Sequence, residues 1–210
     1  MKRGKFIVIE GGDGAGKDTQ IDLLKEALKG ENIVYTRDPG GTSLGTKLRE
    51  VLQYAENVAH ETELLLFLAS RAQLVAEVVR PAVESGTHVI SNRFDPSTTA
   101  YQIYGRKRRH LENLVRAVSA YANIDTKPDL VVLLDVTPEV GLSRTKKRHE
   151  EGKEKESRFE REELAFHERV REGYHAAVKD YTDVVIIDAN KGIGDVHKEV
   201  LATVRKTLDS

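Results

Sequence analysis

The chain has 210 residues, with 33 Lys+Arg against 34 Asp+Glu and a formal net charge of -1. Charge this evenly balanced argues against a protein that grips nucleic acid or an acidic membrane surface by bulk positive charge, so neither partner is expected. The absence of Cys rules out disulfides, thiolate metal sites and a cysteine nucleophile, which suits a reducing, cytoplasmic setting, and the length makes one domain over residues 1–210 the default. From the N-terminus, a basic segment, Met1 to Lys5, precedes an apolar run that stops at Glu10, too short for a signal peptide or a membrane span. Lys5 to Glu10 is the first of five predicted strands. Gln20 to Leu28 follows as a helix, with Ile21, Leu24 and Leu28 at helical recurrence. Ile33 to Arg37 is the second strand, and Thr62 to Val83, carrying Leu64, Leu65, Leu68, Leu74, Val75 and Val78, is a long helix. His88 to Asn92, Leu130 to Asp135 and Val184 to Asp188 complete the strands. Each run is apolar without strict alternation and ends on a polar residue, which predicts parallel strands buried on both faces. Strands alternating with helices imply an α/β architecture, one parallel sheet with helices on both sides, and ligands gathered at the carboxyl edge of its strands. The mixed-charge block Arg144 to Arg161 reads on its own as a solvated helix and loop.

Chemistry enters directly after the first strand, at Gly11-Gly12-Asp13-Gly14-Ala15-Gly16-Lys17-Asp18-Thr19. The run fits G-x-x-x-x-G-K and sits between a strand and a helix, as an ATP phosphate loop requires. Glycines let the backbone curl so that successive N–H groups converge on phosphate oxygens, the helix N-terminus adds partial positive charge, and Lys17 reaches the outer phosphates. A merely structural turn has no use for so many glycines followed by a lysine. Where the pattern has a Ser or Thr hydroxyl for Mg²⁺, this chain has Asp18; Thr19 is turned by about 100° around the helix and is a poor stand-in. Asp18 reads either as a hard oxygen ligand for the metal or as a charge that repels the neighbouring phosphates.

Three further segments narrow the family: Thr36-Arg37-Asp38-Pro39-Gly40-Gly41-Thr42, Phe67-Leu68-Ala69-Ser70-Arg71, and Ser91-Asn92-Arg93-Phe94-Asp95-Pro96-Ser97-Thr98-Thr99-Ala100-Tyr101-Gln102. With Val131 to Arg144 and the stretch from Arg158-Phe159-Glu160 to Gly173-Tyr174, they make the chain resemble thymidylate kinases along nearly its whole length. The resemblance implies a P-loop NTPase fold of three layers with a five-stranded parallel sheet and a short lid at about 144–161, working as a homodimer to which the long helix contributes. It implies an enzyme that moves the γ-phosphoryl of ATP to dTMP with Mg²⁺, in which Arg93 and Arg37 hold the acceptor phosphate and Phe67 stacks on thymine. Arg71 would contact a base carbonyl, Thr98 would face the base and Tyr101 the deoxyribose, and Asp13 would accept from the 3′-hydroxyl, with Gln102 closing the same substrate segment. Independently of the family, three guanidinium forks at one sheet edge suit a phosphate monoester. Phe67 by itself reads equally well as core, Thr98 has a second reading as a helix-start hydroxyl, and for Asp13 the sugar contact outweighs a plain loop role.

Gly14 stands where some members of the family carry an arginine, so the chain resembles the class that draws catalytic cations from the lid. Arg144, Arg148 and Arg158 are then the candidates beside Lys17 and Arg93, which reverses the solvated reading of that block. A second departure pairs with Asp18: the family's strand-end aspartate is Asn92 here. The two changes leave the summed charge of the positions unchanged, and both residues are assigned to the metal side. This exchange requires the two side chains to lie together. Two rival readings remain open to the motifs, a nucleoside monophosphate kinase of other or broader specificity and a GTP-hydrolysing switch. The second needs a carboxylate at position 193 after Asn190-Lys191, where Ile193 stands.

Overall fold

The computed structural model describes residues 2–124, 126–152 and 155–210. Strand β1 (Phe6–Glu10) leads through the glycine-rich loop into α1 (Lys17–Ala27); β2 (Ile33–Arg37) is followed by α2 (Ser43–Tyr54) and α3 (His60–Leu74). After α3 a π-turn over Val75–Val79 continues into α4 (Arg80–Glu84) and then β3 (His88–Asn92). The short α5 (Asp95–Thr98) runs into a second π segment, Thr99–Gly105, before α6 (Glu112–Asn123) and β4 (Leu130–Asp135). Finally α7 (Pro138–Glu150), α8 (Leu164–Ala177), β5 (Val184–Asp188) and α9 (Ile193–Leu208) complete the chain. The five strands form one parallel sheet in the order β2-β3-β1-β4-β5.

Alternate residues of the central strands feed the two faces. Ile7 and Ile9 join Ile21 and Leu24 of α1 and Val196, Val200 and Val204 of α9 in one apolar cluster. Phe6 and Val8 join Leu74, Val75, Val79 and Val83 on the opposite face, so the predicted helix-sheet-helix layering is present. Burial on both faces holds for β1, β3 and β4 but not for β2 and β5, which are half-exposed. Their Val/Ile runs match those of the central strands because hydrophobic content does not encode position in the sheet. The long helix expected over Thr62 to Val83 begins at His60 and ends at Glu84, with its hydrogen-bond ladder switching to π geometry in the middle.

Register delivers chemistry to the carboxyl edge. Arg37 pairs with Asn92, and Asn92 pairs with Ile9, so Arg37, Asn92 and Glu10 emerge side by side. Close backbone approach fixes the loop above them. Gly11 has φ 147, and a Cβ there would stand 2.5 Å from the Leu134 oxygen. Gly14 has φ 72, and its Cβ would stand 2.1 Å from the oxygen of Gly141 in α7. The lid block is the end of α7 plus an ordered return: Arg158 N donates to Gln53 O of α2 at 3.0 Å, and Lys155 Nζ lies 4.7 Å from the Tyr54 ring centre. Lys153 and Glu154, inside the expected lid, lie outside the described residues. No helix among the described residues is long and apolar enough to cross a membrane.

Candidate functional site

A cavity opens at the carboxyl edge of the sheet, bounded by the glycine-rich loop, α2, α3, the β3–α5 segment, and Arg148, Lys155, Ser157, Phe159 and Glu160. Helix α1 starts at Gly16 with φ 86 and no side-chain cap, so its first amides face the loop as a ready anion site. Lys17, buried, donates to Gly11 O at 2.9 Å and Gly12 O at 2.7 Å. Burial and then the Arg93 guanidinium push its ammonium down to about 7. Arg49 of α2, which donates to Pro39 O, is pushed down as well, by burial and then by Arg37 and Arg93. Four cations therefore crowd one wall of the cavity, an arrangement that a polyanion relieves.

Arg93 is the hub. Its backbone sits in the left-handed region at φ 72, which turns the guanidinium back under the loop. It donates to Asp13 Oδ1 at 2.8 Å, Tyr101 Oη at 3.1 Å, Gly11 O at 3.1 Å, Ser97 Oγ at 3.2 Å and the Tyr174 hydroxyl. For the Asp13 carboxyl, burial pulls upward, but Arg93 and Lys17 outweigh it and hold the group below the usual range. Glu10 lies beneath, fully buried, accepting from Phe94 N and Ser97 Oγ; burial raises its carboxyl against the pull of Arg93.

The other half of the cavity is built on α3. Arg71, 1% exposed, donates through Nε to Asp38 at 2.6 Å, through Nη1 to Asp95 at 2.9 Å, and through Nη2 to Thr98 Oγ1 at 2.7 Å and Phe94 O at 3.1 Å. One Nη1 hydrogen of the fork is left over. Phe67 both lines the cavity and packs on Phe159, ring centres 6.0 Å apart, so the core and ligand readings of this residue coexist. Gln102 donates to the fully buried Glu63, which also accepts from Arg106 and from Arg158.

The expected residues are thus largely assembled, with differences among the lid arginines. Arg148 lines the cavity. Arg144 Nη1 donates to Ala189 O at 2.9 Å and Gly14 O at 3.4 Å, and Arg158 is held by Leu52 O and Glu63 outside the cavity lining. Asp18 and Asn92 do lie together: Asn92 Nδ2 donates to Asp18 Oδ1 at 2.9 Å, and Arg37 Nη2 donates to the same oxygen at 2.7 Å. Burial would raise the Asp18 carboxyl, but Arg37 and Lys17 outweigh it and keep it low. Glu10, Asp38, Arg49, Glu63 and Ser97 were not anticipated. Arg49 lies on the polar side of an amphipathic helix and Glu63 in a helix's first turn, where both read as solvated; only tertiary packing turns them inward.

Comparisons with known proteins agree with this geometry. A family model described as Thymidylate kinase matches residues 9–200. Among curated proteins, the Thymidylate kinase of Thermoanaerobacter sp. (strain X514) is 41% identical over 98% of this chain and 100% of its own length. That of Carboxydothermus hydrogenoformans is 44% identical over 94% of this chain and 95% of its own, and that of Legionella pneumophila (strain Corby) is 38% identical over 98% and 96%. Family model, near-complete overlap and a glycine-rich loop opening on an arginine-lined cavity converge, and the chain belongs to the thymidylate kinase family.

Proposed function

We propose that the protein transfers the γ-phosphoryl group of ATP to dTMP, giving dTDP and ADP. The observation that carries this reading is the set of cations Lys17, Arg37, Arg49 and Arg93 around a cavity that Phe67 and Arg71 also line. Two phosphorylated ligands meeting end to end fit such a chamber, since phosphoryl transfer depends on alignment and on positive charge around the moving group. The loop from Gly11 to Thr19 wraps the ATP phosphates, with Lys17 leaving its loop carbonyls for their oxygens. Arg93 and Arg37 hold the acceptor phosphate, and Tyr101 and Asp13 stand at the deoxyribose. Phe67 stacks on the base, the remaining Nη1 hydrogen of Arg71 reaches a base carbonyl, and Thr98 and Gln102 brace that end. Of the lid arginines, Arg148 brings charge to the transferring group, while Arg144 and Arg158 hold the lid against the loop and α2.

Mg²⁺ is proposed with ATP. No cluster of three or more His, Asp or Glu able to hold a metal exists among the described residues. Nucleotide phosphates would chiefly hold such an ion, and Asp18 and Asn92 would add hard oxygen donors. When bound, the ion neutralises charge on the transferring phosphates. We further propose a cytoplasmic homodimer: α3 packs between α2 and α6, and the three helices together expose Leu44 and Val51 of α2, Leu65 of α3, and Leu114 and Tyr121 of α6.

The decisive measurement is coupled ADP release with ATP and Mg²⁺ against dTMP, dUMP, dCMP and AMP. We expect kcat/KM for dTMP to exceed that for dCMP and AMP by about 10²-fold or more, because the base end is read by buried polar groups. Comparable turnover of AMP or dCMP would replace this reading with a broad-specificity nucleoside monophosphate kinase.

A further inference from the structure

We infer that Asp18 and Asn92 act as one coupled unit in which Asp18 supplies the metal-side negative charge and Asn92 is an amide because it must donate a hydrogen bond to that carboxylate. The inference rests on the nucleotide phosphate loop of the proposed function and is independent of which acceptor is phosphorylated.

A phosphate loop ordinarily places a neutral hydroxyl after its lysine, and a carboxylate at the end of a neighbouring strand supports the metal. This chain reverses the two chemistries, and the reversal is geometrically closed. Asn92 ends β3, Asp18 lies in the first turn of α1, and Asn92 Nδ2 reaches Asp18 Oδ1 at 2.9 Å. A carboxylate at position 92 would put an acceptor against an acceptor at that distance, and two such groups cannot both stay ionised without moving apart. With Asp at 18 the amide at 92 is therefore required; with a hydroxyl at 18 the carboxylate at 92 becomes permissible. The site carries one negative charge in either arrangement.

The same oxygen also accepts from Arg37 Nη2 at 2.7 Å, so both protein donors fall on Oδ1 and none of the described residues donates to Oδ2. Asp18 is 58% exposed at its side chain and lines the cavity, which leaves Oδ2 accessible on the nucleotide side. Register reinforces the unit, because Arg37 and Asn92 are direct partners across the β2–β3 ladder. Asp18 consequently also positions Arg37, the residue assigned to the acceptor phosphate, and ties the metal side of the site to the acceptor side.

The test uses the full chain and four variants: Asp18→Ser, Asp18→Asn, Asn92→Asp and the double change Asp18→Ser with Asn92→Asp. Mn²⁺ binding to the enzyme with ADP, followed by electron paramagnetic resonance, reads the metal role. Thermal unfolding of the unliganded protein reads the side-chain coupling. Asp18→Ser and the shape-preserving Asp18→Asn should each weaken Mn²⁺ binding by about tenfold, and the double change should return it to near the parent value. Asn92→Asp should keep Mn²⁺ binding but lower the unfolding temperature at about pH 8, a loss that is absent in the double variant. Unchanged Mn²⁺ affinity in both Asp18 variants, a double variant as weak as Asp18→Ser, or an Asn92→Asp protein of parental stability at about pH 8 would each overturn the proposal. Because ADP and Mn²⁺ suffice, a protein that fails the dTMP panel still answers this question.

Discussion

Lys17 is poised rather than satisfied. Its ammonium rests on two loop carbonyls, Gly11 O and Gly12 O, while burial and Arg93 push it down to about 7 from its usual 10.5. Phosphate oxygens favour the charged form, so bound nucleotide raises the pKa again. Between those two values the free protein carries a neutral amine and the complex an ammonium, and binding must take up a proton there. Below the lower value both forms are protonated and no uptake occurs. Calorimetric titration of ATP in buffers of different ionisation enthalpy should therefore report uptake approaching one proton at about pH 8 and falling towards zero at about pH 6. An uptake equal at both pH values would place the lysine outside the phosphate contacts. Arg93 illustrates the same readiness in backbone terms. A left-handed φ of 72 costs a non-glycine residue about 1–2 kcal/mol, and the five acceptors around its guanidinium hold it there before any ligand arrives.

At the scale of elements, the phosphate loop and α7 touch backbone to backbone. Gly14 meets Gly141, and a Cβ on Gly141 would in turn stand 2.3 Å from the Asp13 oxygen. The helix that carries Arg144 and Arg148 is thereby set directly on the phosphate loop. Gly14→Ala adds a clash with backbone and a strained φ at once, for a cost of about 2–4 kcal/mol. Denaturant unfolding should show that loss, and KM for ATP should rise with it as α7 backs away; a variant of parental stability would contradict this packing. The sequence reveals the glycine but not its reason, since its partner lies far along the chain and no local pattern links them. Strand runs are legible for the opposite reason: each buries apolar side chains through its own composition, and four of the five bounds coincide with those observed. The acceptor segments were legible through ordered motifs, whereas Glu63 was not. It sits before the apolar run Leu64-Leu65-Leu66-Phe67 and reads as a helix-start acid, yet it gathers Gln102, Arg106 and Arg158 at full burial. Removing one partner of such a buried network leaves charge uncompensated, which explains how the lid return is held to α3.

For the molecule as a whole, the near-zero net charge conceals where its positive charges are concentrated. Lys17, Arg71 and Arg93 are withdrawn into one chamber, while most acidic residues stay outside to balance them, so a small anion site coexists with a neutral exterior. Helix α3 then connects that chamber to the outer surface. Phe67 and Arg71 line the cavity, Glu63 holds Arg158, and Leu65, in the helix's second turn, is 61% exposed. Its neighbour α6 exposes Leu114 and, at 86%, Tyr121. A standard interface buries about 800 Å² from each partner, and the exposed Leu44, Val51, Leu65, Leu114 and Tyr121 put apolar side chains on α2, α3 and α6 for the core of the proposed face. Sedimentation at micromolar concentration should find a dimer, and Leu65→Glu or Tyr121→Glu should shift it to monomer. Because α3 carries Phe67 and Arg71 and not the phosphate loop, losing the partner should loosen those two side chains first. KM for dTMP should therefore rise by about tenfold in those variants while KM for ATP changes little. A parent chain that sediments as a monomer would end the dimer reading, and a monomeric variant with unaltered dTMP kinetics would show that α3 holds the acceptor without a partner.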